Sequence, residues 1–319
     1  MGAGLHTTQT AGLALATDLA PVESQPKVVG LMYVMLLLGT IVSALVFGAM
    51  LQDFSPGRLV QVIQGAAVAT IVLNMVALWK QETRRPRRTA VEAGPVMTFR
   101  QSWGSFAEGD QALRRLAAVG LGTMAFSMQD VLLEPYGGQV LQLSVSATTT
   151  LTATLALGGL LGFWLASRVL GKGADPFRIA AWGVAVGVLA FLAVIFAASF
   201  QSSPLFGLGV LLIGFGGGLF GHGTLTATMN LAPKDQAGLA LGAWGAVQAS
   251  AAGMAVALGG ILHDVIAGLA ARQLLGASLH GHATGYIAVY SIEVLLLLAT
   301  LLAMAPLMRQ PQQLAAASR

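Results

Sequence analysis

Apolar residues in this 319-residue chain run on for whole helices, and polar residues collect in the breaks between the runs. A helix needs about 20 predominantly apolar residues to cross the hydrocarbon core of a bilayer. Runs of that length predict nine membrane helices, near 3–20, 28–51, 59–79, 116–141, 147–167, 179–199, 205–229, 238–262 and 284–307. The first is rich in Thr and Gly and ends at Asp18, so its place rests on an internal repeat rather than on hydropathy. The breaks divide the chain into three helices over 1–79, a basic segment over 80–115, six helices over 116–308 and a tail over 309–319.

Composition narrows the class to an all-α polytopic membrane protein. Hydrophobic residues make up 55% of the chain and charged ones 9%, with a mean hydropathy of +0.75, values that a soluble polar surface does not allow. The absence of cysteine removes disulfides, thiolate zinc sites, iron–sulfur clusters and covalent haem attachment, and leaves His, Asp or Glu for any metal. The opening MGAGLHTTQTAG lacks a basic n-region and a separate apolar core, so it reads as part of a membrane helix and not as a signal peptide.

Charge then sets orientation. Alternating sides across nine spans places all of the 17 Lys and Arg except Arg58 and Arg272 on one side, which makes that side, and the C-terminus, cytoplasmic. The pI near 9.8 follows from this asymmetry, and no basic face for nucleic acid is implied. Trp79, Trp164, Trp182 and Trp244 fall near cytoplasmic span ends, where interfacial anchors are expected. Phe99, Trp103 and Phe106 stand at helical spacing and predict a short helix on the membrane surface. Lys80 to Arg88 reads equally as a disordered basic linker drawn to anionic lipid.

The chain also matches itself. At an offset of 212, Asp18-Leu19-Ala20-Pro21 aligns with Asn230-Leu231-Ala232-Pro233; at 211, Gly48–Asp53 (GAMLQD) aligns with Gly259–Asp264 (GGILHD). Spans 1 and 2 therefore correspond to spans 7 and 8, and the repeating unit is six helices long. The simplest expectation is a twelve-helix protein of two halves, of which this sequence carries the equivalent of helices 4–12. Gly162–Arg178 (GFWLASRVLGKGADPFR) looks like a degenerate copy of the loop motif of the major facilitator superfamily, with Ser167 where that motif has an acid. More specific are TAGLALATDLAPVESQPKVVGLMYVMLLLG, DFSPGRLVQVIQGAA and AFSMQDVLLEPYGG, which resemble the PucC-type proteins, the bacteriochlorophyll delivery branch of that superfamily. The resemblance runs from Leu5 to about Leu307. It implies a role in assembling light-harvesting antenna complexes in a bacterial inner or intracytoplasmic photosynthetic membrane. It further implies bacteriochlorophyll or a precursor as carried ligand, with antenna polypeptides and chlorophyll synthase as partners.

Polar residues inside the spans are the candidate site. Asp130 lies about 20 Å along its helix from a start at Leu116 at 1.5 Å per residue, and Glu134 shares its face one turn on. A carboxylate at that depth costs about 2.5–3.5 kcal/mol, so it should meet a partner or a wet cavity. Pro135, Gly137 and Gly138 follow and should loosen the helix there. The competing reading puts Glu134 among headgroups and satisfies Asp130 through Gln129 or a nearby Thr. Gly214, Gly218, His222, Thr226 and Asn230 recur every four residues on one helical face. That stripe offers a flat approach for a planar macrocycle with His222 as axial ligand to its Mg, or else a close helix–helix contact. The first-half counterpart is His6 and Thr10, followed by Ala14 and Asp18. Glu293, deep in the last span, is expected to be functional, paired with His or Lys, or turned toward a partner protein. His280 and His282 lack a third ligand in the sequence, and no direct metal site is expected. The run Thr148, Thr149, Thr150, Thr152 and Thr154 should bond back to its own helix.

No nucleophile–base pair, phosphate-binding loop or metal spacing appears, which leaves an enzyme as the least supported class. Two readings remain: a non-enzymatic assembly factor that binds and delivers bacteriochlorophyll, and a proton-coupled transporter of a small solute that uses Asp130 and Glu134.

Overall fold

The computed structural model describes residues 25–79, 111–231, 237–276 and 281–308, together with Gly12, Leu15 and Gly104. The described residues form helices throughout: α1 (Gln25–Met50), α2 (Pro56–Leu78), α3 (Ala112–Ser127), α4 (Leu133–Gln139), α5 (Val145–Leu170), α6 (Pro176–Phe200), α7 (Ser203–Leu231), α8 (Ala237–Ala271) and α9 (Thr284–Met304). A 3-10 turn, Met128–Val131, joins α3 to α4, and the three together form one span. Eight helices among the described residues are long and apolar enough to cross a membrane. They match eight of the nine predicted spans. The remaining one, 3–20, lies outside the described residues with His6 and Thr10, apart from Gly12 and Leu15, which are helical. The predicted interfacial helix and the Lys80–Arg88 stretch also lie outside, except for Gly104.

Helix ends follow the local sequence. Ser55 caps α2 by accepting from the Arg58 N–H, with Pro56 at the first helical position. Ser144 caps α5 through the Ala147 N–H. The Gly162–Arg178 motif supplies the α5–α6 corner: Gly173 takes φ +87, and Asp175 accepts from the Phe177 N–H at 2.9 Å ahead of Pro176.

Lipid removes the hydrophobic drive between helices, so close backbone packing must hold the bundle together. Here α7 lies between α5 and α6, and glycine lines both contacts. On the α5 side, a Cβ on Gly214 would overlap the Leu155 carbonyl oxygen, and one on Gly218 would overlap that of Gly159. Gly158 and Gly162 of α5 are blocked in the same way by Leu211 and Phe215. On the α6 side, Gly183 and Gly216 face each other's carbonyls at 2.5 and 2.6 Å from an ideal Cβ. The Gly214–Gly218 face is therefore a close helix contact with α5 at its Cβ positions.

Elsewhere α9 packs on α3 and α6, α8 packs on α3 and the 3-10 turn, and α1 lies against α5. Ser146 Oγ donates to the Gly48 carbonyl at 2.8 Å across the α1–α5 contact. Most of α1 and α2 is uncovered, and Val62 is the buried residue of α2. Trp79, Trp164 and Trp182 are exposed, as interfacial anchors should be. Trp244 is not: it is 4% exposed, packs among Val119 and Leu225, and its indole N–H donates to Thr224 Oγ1 at 3.3 Å.

Gly214→Ala should lower stability in detergent by about 1–3 kcal/mol, because α5 and α7 must separate. Gly221→Ala on the same helix meets open space and should cost nothing, or gain up to about 1 kcal/mol. Thermal midpoints of the two variants check the contrast.

Candidate functional site

Proline builds the site's polar end. Pro135 has no N–H to close the helical ladder to the Val131 carbonyl, and its ring crowds that carbonyl. The strain is taken up one turn earlier than expected, in the 3-10 turn, where the Leu132 N–H bonds to the Gln129 carbonyl at 2.9 Å. Regular α geometry resumes in α4, and Gly137 and Gly138 stay helical. Met128 closes the turn from outside: its carbonyl lies 2.7 Å from where a Cβ on Gly259 of α8 would stand, so only glycine permits this approach.

The two carboxylates have different partners. Gln129, 1% exposed, donates from Nε2 to the Phe126 carbonyl and to Asp130 Oδ1, while its Oε1 is buried without a partner. Asp130 faces open space. Glu134 instead accepts from Thr152 Oγ1 of α5 at 2.8 Å. Asp130 lines the cavity directly, and Glu134 meets it through Thr152, so each acid finds a local partner. Thr148, Thr149, Thr150 and Thr154 bond to carbonyls of their own helix as expected, and Thr152 is the exception.

Asp130 opens into a cavity of about 360 Å³ enclosed by α1, α3, α5, α7 and α8. That volume lies within the range of small-molecule sites. Tyr33, Phe126, Phe163 and Trp244 supply aromatic walls, and Thr40, Ser127, Gln129, Asp130, Thr152 and Gln248 are the polar residues of the lining. The α7 wall runs Ile213, Gly217, Gly221, Leu225 at four-residue spacing. A Cβ on Gly221 would meet nothing within 4 Å, and one on Gly217 only the Phe126 ring at 3.7 Å. The open glycine strip is thus Gly217–Gly221, adjacent on the helix to the predicted Gly214–Gly218 stripe.

Of the predicted residues, Gln129, Asp130, Gly214 and Gly218 line the cavity. His222 and Thr226 do not. The His222 ring packs against Phe163, centroids 4.1 Å apart, and its Nδ1 is buried without a partner. Phe163 also stacks on Tyr33 at 5.9 Å, so His222 backs an aromatic wall. Glu293 is 0% exposed and turns into the bundle, where the Gln129 backbone and Asp130 are its polar neighbours. No His or Lys pairs with it among the described residues. His282 is exposed, and His280 lies outside the described residues.

Sequence reasoning missed the aromatic support behind this end. Tyr136 is buried among Phe206, Tyr286 and Tyr290 at centroid distances of 5.1 to 5.5 Å, and its hydroxyl donates to the Val194 carbonyl at 2.8 Å. The signal was Tyr286 and Tyr290 four apart on α9, one helical face.

Comparison with known proteins decides the family, since the PUCC protein family matches residues 1–312. The chain belongs to the PUCC protein family. Protein PucC of Rhodovulum sulfidophilum is 60% identical over 268 residues, 83% of this chain and 59% of that protein. Protein PucC of Cereibacter sphaeroides is 52% identical over 309 residues, 97% of this chain and 66% of that one. The chain thus spans less than two thirds of the length of these two PUCC relatives. The bacteriochlorophyll synthase 44.5 kDa chain of Rhodobacter capsulatus is 27% identical over 288 residues. The crystal structure of a bacterial homolog to the human lysosomal transporter Spinster, inward-facing and unoccupied, is similar at a TM-score of 0.57 and 17% identity. It covers 92% of this chain and 71% of that one. That likeness shows the fold: a multi-pass, major facilitator superfamily-like helical protein.

Glu293→Met removes a buried carboxyl group that has no basic partner among the described residues, at similar volume, so it should stabilise the protein by about 1–3 kcal/mol. A fall in the detergent thermal midpoint would instead reveal a partner for Glu293.

Proposed function

We propose that this PUCC protein is a non-enzymatic membrane assembly factor for bacterial light-harvesting antenna complexes, which binds bacteriochlorophyll or a precursor and delivers it to antenna polypeptides. The observation that carries the reading is the family match across residues 1–312. The cavity's lining supports it, with aromatic walls and an open Gly217–Gly221 strip against which one flat apolar face of a ligand could lie. The bacteriochlorophyll synthase relative points to the same ligand class. In this reading His222 holds Phe163 in place, and ligation of a pigment Mg by His222 is the competing arrangement. Chlorophyll synthase is the natural donor partner, and the photosynthetic inner membrane is the site of action, with the C-terminus cytoplasmic.

A second reading, a proton-coupled transporter of a small solute, draws on the transporter-like fold and on Asp130 at a helix break inside the cavity. Deletion in a phototrophic host separates the two. Loss of antenna absorption without change in any solute flux supports assembly, and proton-dependent uptake abolished by Asp130→Asn supports transport.

Gly221→Leu fills the cavity and should reduce near-infrared pigment bound to the purified protein by about tenfold or more. His222→Leu should retain most of the pigment. The reverse pattern would move the site to His222.

A further inference from the structure

The contact between α9 and the 3-10 turn gathers oxygen atoms that the protein itself leaves unanswered. Gln129, 1% exposed, keeps its amide Oε1 buried without a hydrogen-bond partner. On α9, Tyr290 and Glu293 are both 0% exposed and stand three apart on one helical face. The Tyr290 hydroxyl is buried without a hydrogen-bond partner as well, and Glu293 is among its neighbours. Glu293 in turn neighbours the Gln129 backbone and Asp130. Two carboxyl groups, an amide oxygen and a phenol oxygen therefore meet at the break in the span, and the ion pairs among the described residues bring no base to them.

Buried acceptors without donors cost free energy, and neighbouring carboxylates repel each other. A proton on one carboxyl group donates to a single acceptor, whereas a dehydrated cation answers several oxygens at once. Broken membrane helices form such cation sites, because the C-terminal end of the first half-helix carries the negative end of its dipole. Here α3 ends at Ser127, directly before Gln129 and Asp130. We propose that Gln129, Asp130, Tyr290 and Glu293 form a site for a small monovalent cation, which ties α9 to the 3-10 turn. Two of the four ligand groups are neutral, which suits a single positive charge better than calcium, whose sites gather about six to eight oxygens. The site goes beyond the assembly-factor reading and does not rest on it, since it concerns the support behind the cavity and not the cavity's ligand. Asp130 belongs to both and links the ion to the cavity.

The test follows the thermal midpoint of the purified full chain in neutral detergent, at fixed pH and ionic strength, while sodium chloride replaces choline chloride stepwise. Sodium should raise the midpoint saturably, by about 3 °C or more. Glu293→Gln and Tyr290→Phe each keep the shape and remove one ligand, and each should raise the sodium concentration for half the effect by about tenfold or more. Asp53→Asn, at an exposed acid paired with Arg58, should leave the sodium response unchanged. Glu293→Met should keep its stability advantage in choline, and the gap should close as sodium stabilises the unsubstituted chain. A midpoint indifferent to the exchange of choline for sodium overturns the site, and so does a sodium response that survives both Glu293→Gln and Tyr290→Phe unchanged.

Discussion

A membrane-spanning helix must satisfy its backbone from within, and Pro135 prevents the α3–α4 span from doing so at Val131. The rest of the site follows from how that defect is accommodated. The 3-10 turn replaces one set of backbone bonds with a tighter one, and around it Asp130 lines the cavity while Glu134 accepts from Thr152 of the same lining. Irregular backbone at this depth survives only against protein or water, and here protein meets it: α8 presents Gly259 to the Met128 carbonyl, and Gln129 ties the Phe126 carbonyl to Asp130.

Glycine on α7 serves two ends on adjacent faces. At 214, 216 and 218 it lets α5 and α6 approach to backbone contact, which is how a bundle gains dispersion energy when lipid competes equally for its side chains. At 217 and 221 the same lack of side chain leaves space, because no neighbouring helix fills it. Bulk is returned to the cavity from other elements, through Phe126, Phe163, Tyr33 and Trp244. The Tyr136–Tyr286–Tyr290 cluster then holds α4 against α9 and keeps the polar end in register with Glu293.

Much of the architecture was legible in the chain. Run lengths gave eight spans that agree with the helices, because a segment in lipid must be both long and apolar, and that is written locally. The helix caps at Ser55, Ser144 and Asp175 are likewise local, each needing only a side-chain oxygen and an N–H two or three residues away. Gln129 and Asp130 were also legible, since a deep polar pair among apolar neighbours needs a purpose wherever it points.

What the sequence could not express was rotation about the helix axis. Gly214–Gly218 and Gly217–Gly221 have the same four-residue spacing, and only the placement of α5 makes one a contact and the other a wall. Trp244 reads as an interfacial anchor by its position in the span, yet the fold buries it because α8 turns it toward Thr224 and the cavity. Glu293 reads as a peripheral group until α9 is seen to face the 3-10 turn. Hydropathy thus settled which segments lie in the membrane and where they end, and the packing of helices from distant parts of the chain settled which faces meet each other and which enclose space, because burial depends on neighbours that spacing along one helix does not encode.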